Sequence, residues 1–345
     1  MGRSALFVSK QPGGMYSVVD TSEIPGDPWY VDSGNTSRGK DASGYGKNPD
    51  SPFLTADYAV SAMTANNGDK CFLMPGHAET LTTAGAWAID KAGLEFVGLG
   101  EGADRPTFTF SSSDNSASVL ITAASTKIGN VIGICGDDGL TNPFHVQAAD
   151  CELDIVWRDT TAVEAATCIL TTSAADRLNI NLKYEGDGAT GSACVAPIIL
   201  VGVDGADINV DFYGIASTSI IDMQSTACTN VVARGNFYNV GTTDLSQNMT
   251  DTATGSTWFI SGYDGAAGES FSGGDGGAIA SDDVSGVASQ CTSIGIGTSV
   301  INSQAISVAT GMISVGVGTS VINSQGISQG VAITAIFSML TSHVA

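Results

Sequence analysis

The chain has 345 residues, of which 43 are Gly and only 14 % are charged, and its formal net charge is 13 − 35 = −22. That acidity excludes a nucleic-acid binder, which needs clustered Lys and Arg against phosphate, and works against docking on an anionic membrane. The Gly-rich, aliphatic composition suits many short strands with tight corners and suits long helices poorly.

Residues 1–28 mix Gly, Pro and Ser without a period and read as an extended arm or docking segment. The apolar patch within Met1–Lys10 is too short for a secretory leader, and no run approaches the roughly 20 apolar residues of a membrane span. Trp29-Tyr-Val-Asp32 is the first convincing strand, followed by a polar loop to Asp50. Pro52-Phe-Leu-Thr55 then opens a short helix, with Thr55 as cap, Leu54 stapled onto Ala59, and Ala59, Ala62 and Met63 on one face. One amphipathic helix before a run of strands suits a lid on the open end of a solenoid, where core and unpaired backbone are otherwise exposed.

Strands are predicted at Cys71–Met74, Trp87–Asp90, Leu94–Leu99 and Pro106–Phe110. A period follows. Short apolar strands anchored at Val119, Phe144, Ile169, Ile199 and Ile221 are each followed by a second strand, anchored at Ile128, Leu153, Leu178, Ile208 and Val231. The two anchors lie 9, 9, 9, 9 and 10 residues apart, and the first anchors advance by 25, 25, 30 and 22. Leu153-Asp-Ile-Val-Trp157, Leu178-Asn-Ile-Asn-Leu182 and Ile208-Asn-Val-Asp-Phe212 alternate apolar and polar, so one face is buried and the other wet. A two-strand repeat near 25 residues matches one coil of a β-helix. A β-sandwich also spaces strands closely, but does not readily explain a fixed offset within each unit. The predicted fold is therefore all-β, a right-handed parallel β-helix over 29–240 with a short capping helix at its start.

No Lys or Arg occurs in 235–345, while seven acids do. This Gly/Ser/Thr-rich region, 241–345, carries a second repeat of 21 residues: Ser293–Ser307 recurs as Ser314–Ser328. β-branched alternation makes both copies strands. Two such units cannot close a core alone, so association with other chains is expected to cover them, making this the oligomerisation or attachment region. Continued packing on the main solenoid is the alternative.

Chemistry is sparse. Seven Cys at irregular positions include no C-x-x-C pair, and most sit among apolar strand residues, so they read as reduced, buried small hydrophobes in a chain made in a cytoplasm. His77 precedes Glu79 by two residues after the turn Pro75-Gly76, a weak metal or acid–base pair; His145 lies in a strand and His343 near the end. Gly98-Leu-Gly-Glu-Gly102 follows a strand but precedes no helix, which argues against a phosphate cradle. Gly273–Gly277 looks like one calcium-binding Gly/Asp repeat without the tandem copies such sites need, with Asp282-Asp283 as a further possible ligand. Glycosidase chemistry needs two carboxylates about 5–10 Å apart on one face. Asp154, Asn179, Asn181, Asp207, Asn209 and Asp211 occupy outward or edge positions, and Trp157, Tyr184, Tyr213 and Tyr238 are the nearby aromatics. Alternation alone already requires polar residues at those outward positions. No catalytic, cofactor-binding or metal residue is therefore assigned.

Within residues 29–110, the strings YVDSGN, GYGKNPDSPFLTADYAV, NNGDKCFLMPGHAET and AGLEFVGLGEGADRPTFTF resemble the first coils of right-handed parallel β-helix proteins of the pectate-lyase-like superfamily. More narrowly, they look like the versions carried as virion proteins by tailed bacteriophages. The likeness covers about 80 residues well and the next 130 only through periodicity. It implies the fold, with a capped start, and a virion setting. Pectate lyases hold calcium with Asp residues and use a catalytic Arg on one sheet. Arg158, Arg177 and Arg234 are dispersed without a matching Asp cluster, so no active site carries over. The expectation is a non-enzymatic structural protein on the virion surface, a head decoration or fibre, assembled in the host cytoplasm. Its expected partners are its own copies, as a trimer, and the major capsid protein or another virion protein. The alternative is a tailspike-like depolymerase that binds and cuts a host surface glycan.

Overall fold

The computed structural model describes residues 25–240 apart from 161–162, 187–193 and 225–227, and beyond them the strand backbones between 249 and 337. In chain order the main body comprises β1 Pro28–Val31, α1 Ala56–Ala62, β2 Lys70–Leu73, β3 Ala78–Leu81, β4 Trp87–Ile89, β5 Glu95–Gly98, β6 Thr107–Phe110, β7 Val119–Ile121, β8 Lys127–Cys135, β9 Phe144–Val146, β10 Glu152–Arg158, β11 Ile169–Thr171, β12 Asn179–Glu185, β13 Ile198–Leu200, β14 Asp207–Gly214, β15 Ile221–Met223, β16 Val232–Asn239, β17 Met249–Asp251, β18 Thr257–Asp264 and β19 Glu269–Gly274.

These strands make a parallel β-solenoid of about 6 turns. A long sheet runs β1-β2-β5-β8-β10-β12-β14-β16-β18, and a short sheet runs β4-β7-β9-β11-β13-β15-β17. From β4 onward each coil contributes one strand to each of these two ladders, and successive coils pair in parallel. The long ladder ends where β19 turns back antiparallel on β18. Period-2 alternation places Leu153, Ile155 and Trp157, then Ile180, Leu182 and Tyr184, then Ile208, Val210 and Phe212, in one continuous core.

The pairing corrects the predicted rungs. Ile128, Leu153, Ile180, Ile208 and Ala233 stack on the long sheet, and Val119, Phe144, Ile169, Ile198 and Ile221 on the short one. Leu178 and Val231 are buried but lie outside the ladder, two residues ahead of the true rung. The offset is 9 residues from 119 to 128 and from 144 to 153, but 11 from 169 to 180, 10 from 198 to 208 and 12 from 221 to 233. A two-residue slip keeps every side chain on the same face, so apolar alternation cannot register it. The Ile199 anchor is one residue out because all of Ile198-Ile-Leu200 is buried and carries no alternation.

A better marker of the period is the corner before each long strand. Asn66, Gly93, Ser125, Asp150, Arg177, Gly205 and Asn230 all adopt left-handed backbone, with φ between 52° and 74°. The amides of the first six corners donate to the next coil: Asn66 to Ala92 O at 2.7 Å, Gly93 to Ala124 O at 2.9 Å, Ser125 to Ala149 O at 3.0 Å, Asp150 to Asp176 O and Arg177 to Asp204 O at 2.8 Å, and Gly205 to Thr229 O at 2.9 Å. A Cβ built on Gly205 meets nothing closer than Arg177 Cγ at 3.7 Å, so there the cost of a side chain is conformational alone. Gly205→Ala is expected to lose about 1–2 kcal/mol, and Gly205→Asn less, since Asn already serves at positions 66 and 230. Urea melts followed by far-UV circular dichroism check this; equal losses for Ala and Asn count against it.

In the first coils the long face is split in two. β5 pairs with the start of β8 and β6 with its end, and one residue, Asn130, bulges between them. Asn130 has φ 59°, and its amide group donates to Gly98 O at 2.8 Å and Gly100 O at 3.1 Å. A Cβ on Gly98 would fall 2.1 Å from the Asn130 carbonyl, which is why glycine stands there. From β10 onward the face is one unbroken strand per coil.

Helix α1 forms where predicted. Thr55 Oγ1 accepts from the Tyr58 amide at 3.3 Å, and Ala56, Ala59, Val60 and Met63 join the same core as Trp29 and Phe53. Beyond the main body, β20 Cys291–Ile296, β21 Ser299–Ser303, β22 Met312–Val317, β23 Ser320–Ser324 and β24 Ile333–Phe337 stack in parallel. Cys291 pairs Met312, which pairs Ile333, so the 21-residue repeat has a third, degenerate rung. The predicted N-terminal arm lies outside the described residues except at its last few positions.

Candidate functional site

The outward face of the long sheet gathers most of the residues singled out from the sequence. Asp154, Asn181, Asn209 and Arg234 form one column across four coils, and Asp211 and Asn236 part of the next. The column is tied along the axis: Asn181 Nδ2 donates to Asp154 Oδ1 at 2.7 Å, and Asn209 Nδ2 to Asn181 Oδ1 at 2.8 Å. Asn179 and Asp207 are exposed in the flanking column, where Asp207 pairs with Arg234.

The three arginines are cross-coil struts. Arg158 Nε meets Glu185 at 2.6 Å, and Arg177 grips Asp150 with both Nε, at 2.6 Å, and Nη2, at 2.8 Å. Lys127 reaches Glu152 at 2.7 Å and Lys70 reaches Glu95 at 2.9 Å in the same manner. The hydrogen bond and charge of Arg177 hold the Asp150 carboxyl below the usual carboxylate range. At Glu185, burial pushes upward but the hydrogen bonds from Lys183 and Arg158 outweigh it, and at Asp204 the Thr229 hydroxyl and Asn230 amide act in the same direction. Asp69 and Asp114 are lowered as well. A general acid for glycoside cleavage needs the opposite displacement.

The four aromatics separate. Trp157 and Tyr184 are buried, and both donate to Asp159, Trp157 Nε1 at 3.0 Å and Tyr184 Oη at 2.5 Å. Tyr213 and Tyr238 are exposed, at 52 % and 45 %, and sit on adjacent rungs. Alternation held this signal: Trp157 and Tyr184 continue the inward parity of Leu153 and Ile180, whereas Tyr213 follows Asp207, Asn209 and Asp211.

His77 is fully buried. Its Nδ1 accepts from the Ser33 amide at 3.1 Å, which leaves the proton on Nε2, 3.4 Å from Glu79 Oε2. Glu79 in turn accepts from the Ala56 amide at 3.0 Å. The pair thus fastens the first coil to the start of α1. His145 is half-buried beside Gln147, and burial lowers its pKa. Gly98–Gly102 forms the bulge contact described above. Gly273 and Gly274 close β19, while Asp275–Gly277, Asp282, Asp283 and His343 lie outside the described residues. Six Cys are buried without a disulfide, and burial pushes up the thiols of Cys71, Cys135, Cys151, Cys168 and Cys194. Among the described residues no group of three or more His, Cys, Asp and Glu could hold a metal ion.

Comparison with protein-family models, with characterised proteins and with solved structures gives no match. No helix among the described residues is long and apolar enough to cross a membrane.

Proposed function

We propose that this chain is a non-enzymatic structural protein of a tailed-phage particle, a stiff right-handed β-helical shaft displayed on the virion as a head decoration or fibre. In this reading α1 closes the open end of the first coil. The part of 241–345 that follows β19 joins copies into a trimer and fixes them to the major capsid protein or another virion protein.

The observation that carries the reading is the use of charge on the outer face. Asp150, Glu152, Asp154, Glu185 and Asp207 are each bound to a base or amide on a neighbouring coil. Such contacts brace one coil against the next and hold the face fixed. The net charge of −22 adds solubility to a protein crowded on a surface.

Quantitative mass spectrometry of purified particles, with imaging of the same preparation, tests it. The protein is expected in many copies per particle and on its outside. Absence from particles, or release of reducing sugar from host envelope glycans by the purified chain, overturns it and favours the depolymerase alternative.

A further inference from the structure

We propose that the outer face of β14 and β16 binds a neutral, linear glycan lying along the solenoid axis, with Tyr213 and Tyr238 as its stacking platforms. The proposal goes beyond the structural role and does not rest on it.

Among the described residues, Tyr213 and Tyr238 are the aromatic side chains with large exposure. They are paired in register, and Tyr263 occupies the next position of the same column. The preceding rungs of that column carry Arg158 and Glu185, which neutralise each other. The column therefore changes at the fifth coil from an ion pair to a run of tyrosines. Strand propensity explains one outward Tyr; it does not explain successive rungs of them where charged residues served before.

The spacing fits a sugar chain. Parallel rungs rise by about 4.8 Å, close to the length of one pyranose unit, so an extended glycan along the axis meets one tyrosine per sugar. A ring face laid on a tyrosine buries the apolar C–H surface of the sugar and leaves its hydroxyls at the rim. Two residues back along each strand stand Asp211 and Asn236, and beyond them Asn209 and Arg234. They supply acceptors and donors beside the tyrosines at the same rise. Their positions are already set, because Asn209 donates to Asn181 at 2.8 Å and Arg234 pairs with Asp207. Underneath, Phe212 packs on Tyr184 with ring centroids 4.9 Å apart, and a Cβ on Gly214 would lie 3.2 Å from the Tyr184 ring, so the floor is closely packed. A preorganised surface loses little on binding.

Charge selects the class. A chain of net −22 repels polyanions, and Asp211 beside Tyr213 would face a uronate unfavourably while accepting well from a hydroxyl. A protein partner fits less well: specific interfaces bury about 1,200–2,000 Å² around an apolar core, and these tyrosines are bordered by charged and amide side chains.

Affinity electrophoresis of the full chain in gels containing hydroxyethyl cellulose, glucomannan or dextran, with alginate as the anionic control, tests the proposal. Retardation is expected in at least one neutral gel and not in alginate. Tyr213→Ala and Tyr238→Ala should each weaken it by about three- to tenfold, Tyr→Phe at either position should keep most of it, and far-UV circular dichroism should stay unchanged. No retardation in any neutral gel overturns the proposal, as does retardation that survives the double Ala variant. Loss of self-association in sedimentation velocity on the same double substitution also overturns it, assigning the tyrosines to contact between copies. None of these outcomes bears on copy number in particles, so the two readings fail separately.

Discussion

Asp69→Ala is expected to remove about 3–5 kcal/mol of stability, the largest effect of any polar substitution in the first coil. Asp69 is fully buried, and its carboxylate accepts from four donors: the Asp27 amide at 2.8 Å, Trp29 Nε1 at 3.2 Å, the Thr64 amide at 2.8 Å and Asn67 Nδ2 at 2.7 Å. It thereby joins the segment before β1, the end of α1 and the start of β2 at one point. Alanine leaves buried N–H groups without an acceptor and opens a gap beside Trp29. Asn keeps one acceptor oxygen but turns its own N–H group toward donors, so Asp69→Asn should fall between. Urea unfolding followed by circular dichroism gives the values, and a loss for Ala below about 1 kcal/mol would contradict the account.

The same carboxylate predicts how the fold answers acid. Burial by itself pushes its pKa up, but the four donors together pull harder and leave it lowered. A lowered folded-state pKa means that the stabilisation is complete above the unfolded value, about 3.9, and is lost as pH falls through the folded value. Asp150, Glu185 and Asp204 are displaced in the same sense. The wild-type chain should therefore keep its urea midpoint from neutrality to about pH 5 and lose it progressively below about pH 4. Asp69→Asn should flatten part of that acid slope; an identical slope in both proteins would exclude Asp69 as a source of it.

Face assignment was legible in the sequence and register was not, for one physical reason. Side-chain direction in a strand has a period of two, so Asp207-Ile-Asn-Val-Asp-Phe-Tyr213 states unambiguously which residues are wet. Nothing in that period distinguishes Leu178 from Ile180 as the rung, because both face inward. The distinguishing feature is the left-handed corner, and at positions 125, 150 and 177 it is filled by Ser, Asp and Arg rather than Gly or Asn. Arg177 tolerates that backbone while held by Asp150 one coil away, an arrangement visible only once the coils are stacked. The outer ladder is hidden for a related reason: Asp154, Asn181 and Asn209 lie 27 and 28 residues apart, so they become neighbours through coil length and not through any local motif. The third rung of the C-terminal repeat escaped because Ile333-Thr-Ala-Ile-Phe337 keeps the strand pattern and drops the Gly and Asn-Ser-Gln signature of the first two.

Trp157→Ala is expected to cost about 3–5 kcal/mol, through packing where Asp69 acts through polar satisfaction. Trp157 is fully buried in β10, the first unsplit strand of the long face, with ring centroids 5.4 Å from Phe110 and 6.4 Å from Phe144. Its six-membered ring lies directly against Gly133 on the preceding coil, where a Cβ would approach Trp157 to within 2.6 Å. The indole thus fills a space that the glycine below it creates, and alanine leaves that space empty. Partial collapse is hindered because Gly133 has no side chain to move in and Phe110 is fixed by its own rung on β8. Trp157 Nε1 also donates to Asp159 Oδ1, so Trp157→Phe should recover most of the packing and still lose this bond. A solenoid transmits stability mainly between neighbouring coils, so hydrogen exchange in the Ala variant should rise first in β8, β10 and β12 and leave β1 and β2 protected. Uniform loss of protection along the whole chain would show instead that the coils unfold as one unit, and that the cavity acts on all of them at once.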